Sequence, residues 1–258
     1  MTKVERFKLM LDLSLQEFKT TEAGSSLGFA WVLIQPAFYM TIVSVVHSVF
    51  FRRAGGDEHL FFIWFLPGII PWLFISSVMS SSCTIFQKNS HLIKTKSFPL
   101  WMSVIPKIIS SFFSHFILLA ILMTIFILVG EFNFLYTLNV IYFNACSFIL
   151  LFSICLFCST LYPFARDINN FMSIIIQLAF WSSPIFYDSS NLPNYLYRFI
   201  RYNPFFYIID GYRGSFLARG HFWESVDLVA FFWLLVCTML LISFRFYKKH
   251  RGEIGEVL

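Results

Sequence analysis

Charge is what this 258-residue chain has least of: Asp, Glu, Lys and Arg make up 13% of it, against 58% hydrophobic and 21% aromatic residues. That balance excludes a water-soluble globular domain and places the chain in a bilayer. Six stretches contain no Asp, Glu, Lys or Arg at all, at residues 27–51, 60–82, 108–130, 136–164, 168–187 and 228–244. A helix needs ~20 mostly apolar residues to cross ~30 Å of hydrocarbon, so the expectation is six transmembrane helices, the last starting near Ser225 with Asp227 at the interface. Ion-coupled transporters keep ionisable side chains inside their spans as partners for the ion. Here only His47 and His115 titrate within the spans, which argues against that class.

Other absences narrow the field further. No G-x-x-x-x-G-K-[ST] phosphate loop occurs, so the chain does not bind and split ATP by that route and its energy comes from elsewhere. Membrane enzymes that handle polyprenyl-phosphate sugars need carboxylates or a metal at the reaction centre. Acidic residues here are confined to loops and span ends, the most suggestive being Asp167 beside Arg166; an aspartate at the start of a helix also serves as a cap stabilised by the dipole. The five cysteines are an odd set within or beside apolar spans, where a thiol behaves as a small hydrophobe. The Cys155-x-x-Cys158 pair therefore reads as packing, and no metal site is expected. Residues 1–26 are charged and lack the basic start and apolar middle of a cleavable signal, so the first span is expected to direct insertion.

The formal charge of +5 does not form a stripe suited to nucleic acid; the basic residues stand beside the spans. With the N-terminus inside, thirteen of the nineteen are cytoplasmic: Lys3, Arg6, Lys8, Lys19, Lys88, Lys94, Lys96, Lys107, Arg166, Arg245, Lys248, Lys249 and Arg251. Arg52, Arg53, Arg198, Arg201, Arg213 and Arg219 lie outside. Both termini are thus expected on the cytoplasmic side.

Three segments are not spans. Val4, Phe7, Leu11, Leu15 and Phe18 recur at helical spacing among basic residues, which predicts an amphipathic helix either lying in the interface or packed on the spans. FQKNSHLIKTKSFP, residues 86–99, sets three lysines around Leu92 and Ile93 and is either a solvated loop or a short contact helix. The third segment, residues 188–225, comes after Pro184. It holds two short apolar stripes, Leu192/Tyr195/Leu196/Phe199/Ile200 and Phe205/Ile208/Ile209/Tyr212/Phe216, with Pro193 and Pro204 marking their starts. Two half-helices re-entering the outer leaflet fit this pattern if their broken backbone is buried, and a hairpin lying on the outer surface is the alternative.

In chain order, GSSLGFAWVLIQP (24–36), FLPGIIPWLF (65–74), HLIKTKSFP (91–99), ARDINNF (165–171), SPIFYDSSNLP (183–193), YNPFFYIIDGYRG (202–214) and the terminal EVL are similar to the permease subunits of ABC exporters that move lipid-linked polysaccharides such as O-antigen, capsule and teichoic acid. The similarity runs along nearly the whole chain, and it is the order and spacing of these motifs that is specific. One departure is that the family often has Arg-Tyr before the Gly/Ser-x-x-Leu-Gly approach to its first span, where this chain has Thr21-Glu22. No headgroup-contacting arginine is carried over there.

The resemblance implies one all-α permease domain over residues 1–258. Residues 1–26 form a cytoplasmic interface helix, 84–99 a cytoplasmic coupling segment and 188–225 an external re-entrant gate hairpin between spans five and six. It implies a multi-pass homodimer in the inner membrane with both termini cytoplasmic, in contact with membrane lipids and serving lipopolysaccharide or capsule biosynthesis. A separate ATP-binding subunit would carry the ATP and Mg. Phe86, Lys88, Leu92, Ile93, Lys94, Lys96 and Phe98 would meet that subunit. Pro184, Pro193, Phe199, Ile200 and Pro204 would form the external gate, and Arg166 and Asp167 would stand at the cytoplasmic mouth. A glycan also needs a wet path on which aromatic faces can stack against sugar rings. Trp31, Tyr39, Tyr142, Trp181, Phe186 and Tyr187 are the candidates, although aromatics near span ends also anchor helices at the interface. An exporter of a drug or lipid, and a transferase acting on polyprenyl-linked sugars, remain the competing readings.

Overall fold

The computed structural model describes residues 3–23, 28–50, 58–90, 99–189 and 192–257, and every regular element among them is helical. The helices are α1 (Lys3–Ala23), α2 (Trp31–Phe50), α3 (Glu58–Ser81), α4 (Ile85–Lys88), α5 (Val104–Val129), α6 (Phe134–Thr137), α7 (Asn139–Leu161), α8 (Ile168–Ser182), α9 (Asn194–Ile200), α10 (Pro204–Phe216) and α11 (Val226–Val257). Four stretches are long and apolar enough to cross a membrane: Phe61–Lys88, Leu100–Val129, Phe134–Leu161 and Val226–Ile254. Trp31–Val43 and Ile168–Ser182 are apolar but shorter. Each of the six charge-free stretches thus holds an apolar helix.

Burial sorts these helices into centre and periphery. The apolar windows of Phe61–Lys88 and Phe134–Leu161 are 67% and 61% buried inside the chain, against 22% and 17% for Leu100–Val129 and Val226–Ile254. α3 and α7 are therefore the core. α5 and α10 pack on α3, α11 runs along α7, and α1 lies against α5. α7 is suited to the centre because its buried positions are rich in small residues, among them Cys146, Ser147, Ser153, Cys155, Cys158 and Ser159. Small side chains let helices approach closely, and their hydroxyls bridge neighbours. Ser159 Oγ donates to the Ser82 carbonyl at 2.9 Å, and Ser243 Oγ on α11 donates to the Ser153 carbonyl at 2.8 Å. The cysteines are free thiols, and all but Cys237 are buried.

α3 carries Pro67 and Pro71 within it and runs on through a 3-10 turn, Ser82–Thr84, into α4. α5 stops at Gly130, whose φ of 84° is the left-handed geometry that closes helix ends and favours glycine. The stripe on α1 is packed at one end and exposed at the other. Phe18 meets Phe113 edge to face at 5.5 Å and Glu17 lies 3.7 Å from Lys107, so the end of α1 is clamped to α5. Phe7, Leu11 and Leu15 stay exposed.

The segment after α8 folds as two helices of opposite character. Ser183 leaves helical geometry and the chain bends through buried Pro184. α9 has no buried residue, and Phe199 on it is 82% exposed. α10 buries nine of its thirteen residues between α3 and α7, including the whole predicted stripe from Phe205 to Phe216. The expectation of two packed stripes therefore holds for α10 only. α10 fills the space between α3 and α7, and α9 is left on the outside of the chain. Pro204 is at the first position of α10 as expected, whereas Pro193 is the residue before α9. Asn203 caps α10 by accepting from the Phe205 amide at 2.9 Å, and its Nδ2 donates to Ser182 Oγ at 2.7 Å, tying the start of α10 to the end of α8.

Candidate functional site

α10 is apolar on the face it buries, yet that face carries a guanidinium. Arg213 stands one turn beyond Ile209 and is fully buried. Its Nε donates to the Trp64 carbonyl at 3.1 Å, Nη2 donates to the Ile185 carbonyl at 3.3 Å, and the guanidinium carbon lies 3.8 Å from the centroid of the Trp64 ring. Gly68, one turn after Trp64, makes room for this arrangement, since a Cβ there would come within 2.5 Å of Nη2. One side chain thus joins α10, α3 and the bend after α8. Burial lowers Arg213 to about 10, which leaves it charged at neutral pH.

A second polar link lies on the same helix. Tyr212 Oη donates to Asn144 Oδ1 at 2.6 Å and lies 3.0 Å from His115 Nε2. The tyrosine's proton is used on Asn144, so His115 is the donor of the second bond, in its Nε2–H tautomer. Its Nδ1 has no partner among the described residues. Gly211 lets α10 lie directly on the Phe143 ring of α7. Further out, Tyr142 Oη accepts from Trp233 Nε1 at 2.9 Å and bonds to Tyr207 Oη at 3.1 Å, while its ring stacks on Phe222 at 3.7 Å.

Beside α10 opens a cavity of ≈ 440 Å³ bounded by α10, the start of α9, and residues 219–225 with Leu228. Asp188, Asp210 and Glu224 line it together with Arg219, Tyr197 and Phe222. Asp188 and Arg219 pair at 3.7 Å, and Glu224 accepts from the His221 amide at 3.0 Å. Asp210 is half-buried; burial pushes its carboxyl above the usual carboxylate range, against the pull of Arg213 and Arg219.

The residues expected to form the functional site are spread over several places. Of the coupling set, Phe86 is fully buried against Tyr247, with ring centroids 6.2 Å apart, and so braces the segment from inside instead of touching a partner. Lys88 is exposed. Leu92, Ile93, Lys94, Lys96 and Phe98 lie outside the described residues. Trp31 and Tyr39 flank one hollow along α2, with Trp31 45% exposed. Trp181 projects from the end of α8, and Phe186 packs between Phe65 and Phe180 at 5.4 and 5.2 Å. Tyr187 is half-buried beyond it. Tyr142 belongs to the hydrogen-bonded cluster with Trp233 and Tyr207 and not to an open surface, because its ring and hydroxyl are both engaged. Of the gate set, Pro184 is buried in the bend, Ile200 and Pro204 are half-buried, and Pro193 and Phe199 are exposed. Arg166 and Asp167 are exposed, and Asp167 stands at the start of α8 without capping it through its side chain.

Sequence reasoning placed Arg213 among the external charges and did not single out Trp64, Gly68 or Asn144. A signal was present, for Arg213 falls four residues after Ile209, on the apolar face of its own helix. A cation at such a position has to find partners in the interior.

The chain matches the family described as ABC-2 type transporter over residues 9–217. It is 26% identical to the O-antigen export system permease protein RfbA of Klebsiella pneumoniae, across 96% of this chain and 95% of that one. It is 21% identical to the protein of the same name from Myxococcus xanthus, across 96% and 94%. It is also 21% identical to the polysialic acid transport protein KpsM of Escherichia coli, across 90% and 91%. The matched region takes in α2 to α10, including Trp64, Gly68, Tyr212 and Arg213, and by that extent the chain belongs to the ABC-2 type transporter family.

Proposed function

We propose that this chain is the membrane-spanning subunit of an exporter that carries a lipid-linked cell-surface polysaccharide across the cytoplasmic membrane, driven by a separate ATP-binding subunit. The observation that supports this best is the end-to-end match to permeases named for O-antigen and polysialic acid export, which leaves little of either chain unaccounted for. In this reading the chain is a transport subunit and not an enzyme, and ATP and Mg belong to the partner. The permease works as a homodimer with six crossing helices and both termini cytoplasmic.

The exposed apolar faces support a path between two copies. Phe171, Ile174, Leu178 and Trp181 form an outward stripe on α8, and Trp31, Phe38 and Ile42 form one on α2. A second copy facing these stripes would enclose a route lined by aromatic rings, on which sugar rings slide without a fixed pattern of hydroxyls. α10 would be the fixed half of the outer hairpin, pinned by Arg213 and Tyr212, and α9 the half free to move with the glycan.

The experiment is deletion of the gene in its own host with measurement of surface polysaccharide. Loss from the surface, accumulation of lipid-linked polymer inside and rescue by the intact gene are expected. Normal surface polymer in the deletion strain would sink the reading, and loss of polymer synthesis itself, with no internal accumulation, would favour a transferase.

A further inference from the structure

The cavity beside α10 is formed by one chain alone and lies apart from the exposed stripes of α2 and α8. Its size falls in the range of ~300–1,000 Å³ over which small-molecule sites occur, enough for about one to two sugar rings. Its lining mixes carboxylates with aromatic rings, the chemistry that a neutral glycan uses: hydroxyls donate to carboxylate oxygens, and the C–H face of the ring lies on an aromatic ring. Of the three carboxylates, Asp188 is paired with Arg219 and Glu224 is held by the His221 amide. Asp210 makes no hydrogen bond or ion pair among the described residues, although it is half-buried and lines the cavity. A carboxylate so placed can accept hydrogen bonds from a ligand that enters the cavity. Three carboxylates against Arg219 and the nearby Arg213 leave the site without the excess positive charge that the diphosphate of a lipid carrier calls for, and the neutral body of the glycan suits it better.

We infer that this cavity is a sugar-docking site on the outer side of the permease, in which Asp210 accepts from glycan hydroxyls while Tyr197, and Phe222 through the face not stacked on Tyr142, contact the ring. The inference rests on the export reading and adds a step to it. A glycan segment held outside the translocation path cannot slip back while the permease resets, so each advance is kept.

Gly214 offers a position from which to fill the site. It lines the cavity, and a Cβ there meets only the Arg219 Cβ, at 3.9 Å. The test uses the full-length permease in lipid nanodiscs and, as probe, oligosaccharides released by mild acid from the host's own surface polysaccharide, with binding followed by saturation-transfer NMR. Wild type is expected to bind, Asp210→Asn to bind at least about tenfold more weakly, and Gly214→Leu to lose binding, with thermal unfolding unchanged in at least one variant. Export by the wild-type gene is measured in parallel in the deletion strain. If wild type restores export but does not bind the oligosaccharides, or if either folded variant binds like wild type, the docking site is rejected and the export reading stands. If wild type does not restore export, both are rejected. Competition by free ethanolamine as effective as that by the oligosaccharides would also overturn the site, since it would show a pocket for lipid amines.

Discussion

The guanidinium of Arg213 lies 3.8 Å from the centroid of the Trp64 ring, and its Nε donates to the carbonyl of that same residue. Lysine cannot reproduce this pair of contacts, because an ammonium has no plane to lay on the indole and no fork to reach a second carbonyl. Arg213→Lys should therefore destabilise nearly as much as Arg213→Ala, by about 2 kcal/mol or more, the size of a desolvated cation–π contact with a charge-assisted hydrogen bond. Trp64→Phe keeps a ring and should cost less. Thermal unfolding of the purified permease in detergent checks the order. An Arg213→Lys variant as stable as wild type would show that charge alone suffices.

Tyr212 joins α10 to α5 through His115 and to α7 through Asn144. Tyr212→Phe leaves the buried His115 and the half-buried Asn144 each short of a bond, at about 1–3 kcal/mol for an unsatisfied buried group and less for Asn144. Changing His115 to Leu in the same chain removes one of those groups. The double variant should lose less than the two single variants added together, and strict additivity in a double-mutant cycle would mean that the three groups do not act as one network.

The hairpin gives a contrast within a dozen residues. Ile209 is fully buried and Phe199 is 82% exposed. Ile209→Asp should prevent stable assembly, while Phe199→Asp should leave the unfolding temperature of the single permease within the small range of surface changes, about 0.5 kcal/mol. A loss for Phe199→Asp as large as that for Ile209→Asp would mean that a second copy covers the outer face of α9.

The sequence displayed the helices well because the signal for a span is the absence of charge, which is local and needs no knowledge of neighbours. All six charge-free stretches contain an apolar helix for that reason, and α10 was legible from its stripe and Pro204. The site was less legible because its links join residues far apart in the chain. Arg213 to Trp64 and Tyr212 to His115 depend on how α10 inserts between α3 and α7, and no periodicity within one segment reports that. Phe86 and Tyr142 show the converse error: an aromatic beside a loop or at a span end reads as available surface, and only packing reveals that Tyr247 or Trp233 has already taken it.

Sidedness rests on thirteen basic residues against six. In a cysteine-free background, single cysteines at Gly56 and Asn194 should react with an impermeant thiol reagent in intact cells or spheroplasts, and cysteines at His91 and Gly255 should react only after lysis. Labelling of His91 from outside would reverse the assignment of the segment between α4 and α5.

That segment carries the last prediction, because in the proposed function a nucleotide-driven partner has to push on the permease. Phe86 is anchored against Tyr247 on α11, so the helix leading into the segment is seated in the core, and a push on the segment would be passed to α3 and α11 together. Beyond Phe86 the sequence offers Leu92 and Ile93 as a small apolar knob among Lys88, Lys94 and Lys96. Changing both to serine removes about 2–4 kcal/mol of apolar burial if a partner groove receives them, and should separate ATP hydrolysis from export while leaving insertion intact. Phe86→Ala works differently: it empties core volume, at about 3–5 kcal/mol, and should lower the unfolding temperature of the permease itself. The readouts are co-purification of the ATP-binding subunit, surface polysaccharide and thermal unfolding. Wild-type co-purification and export in the double serine variant would reject Leu92 and Ile93 as the point of contact. An unfolding temperature unchanged by Phe86→Ala would reject the brace.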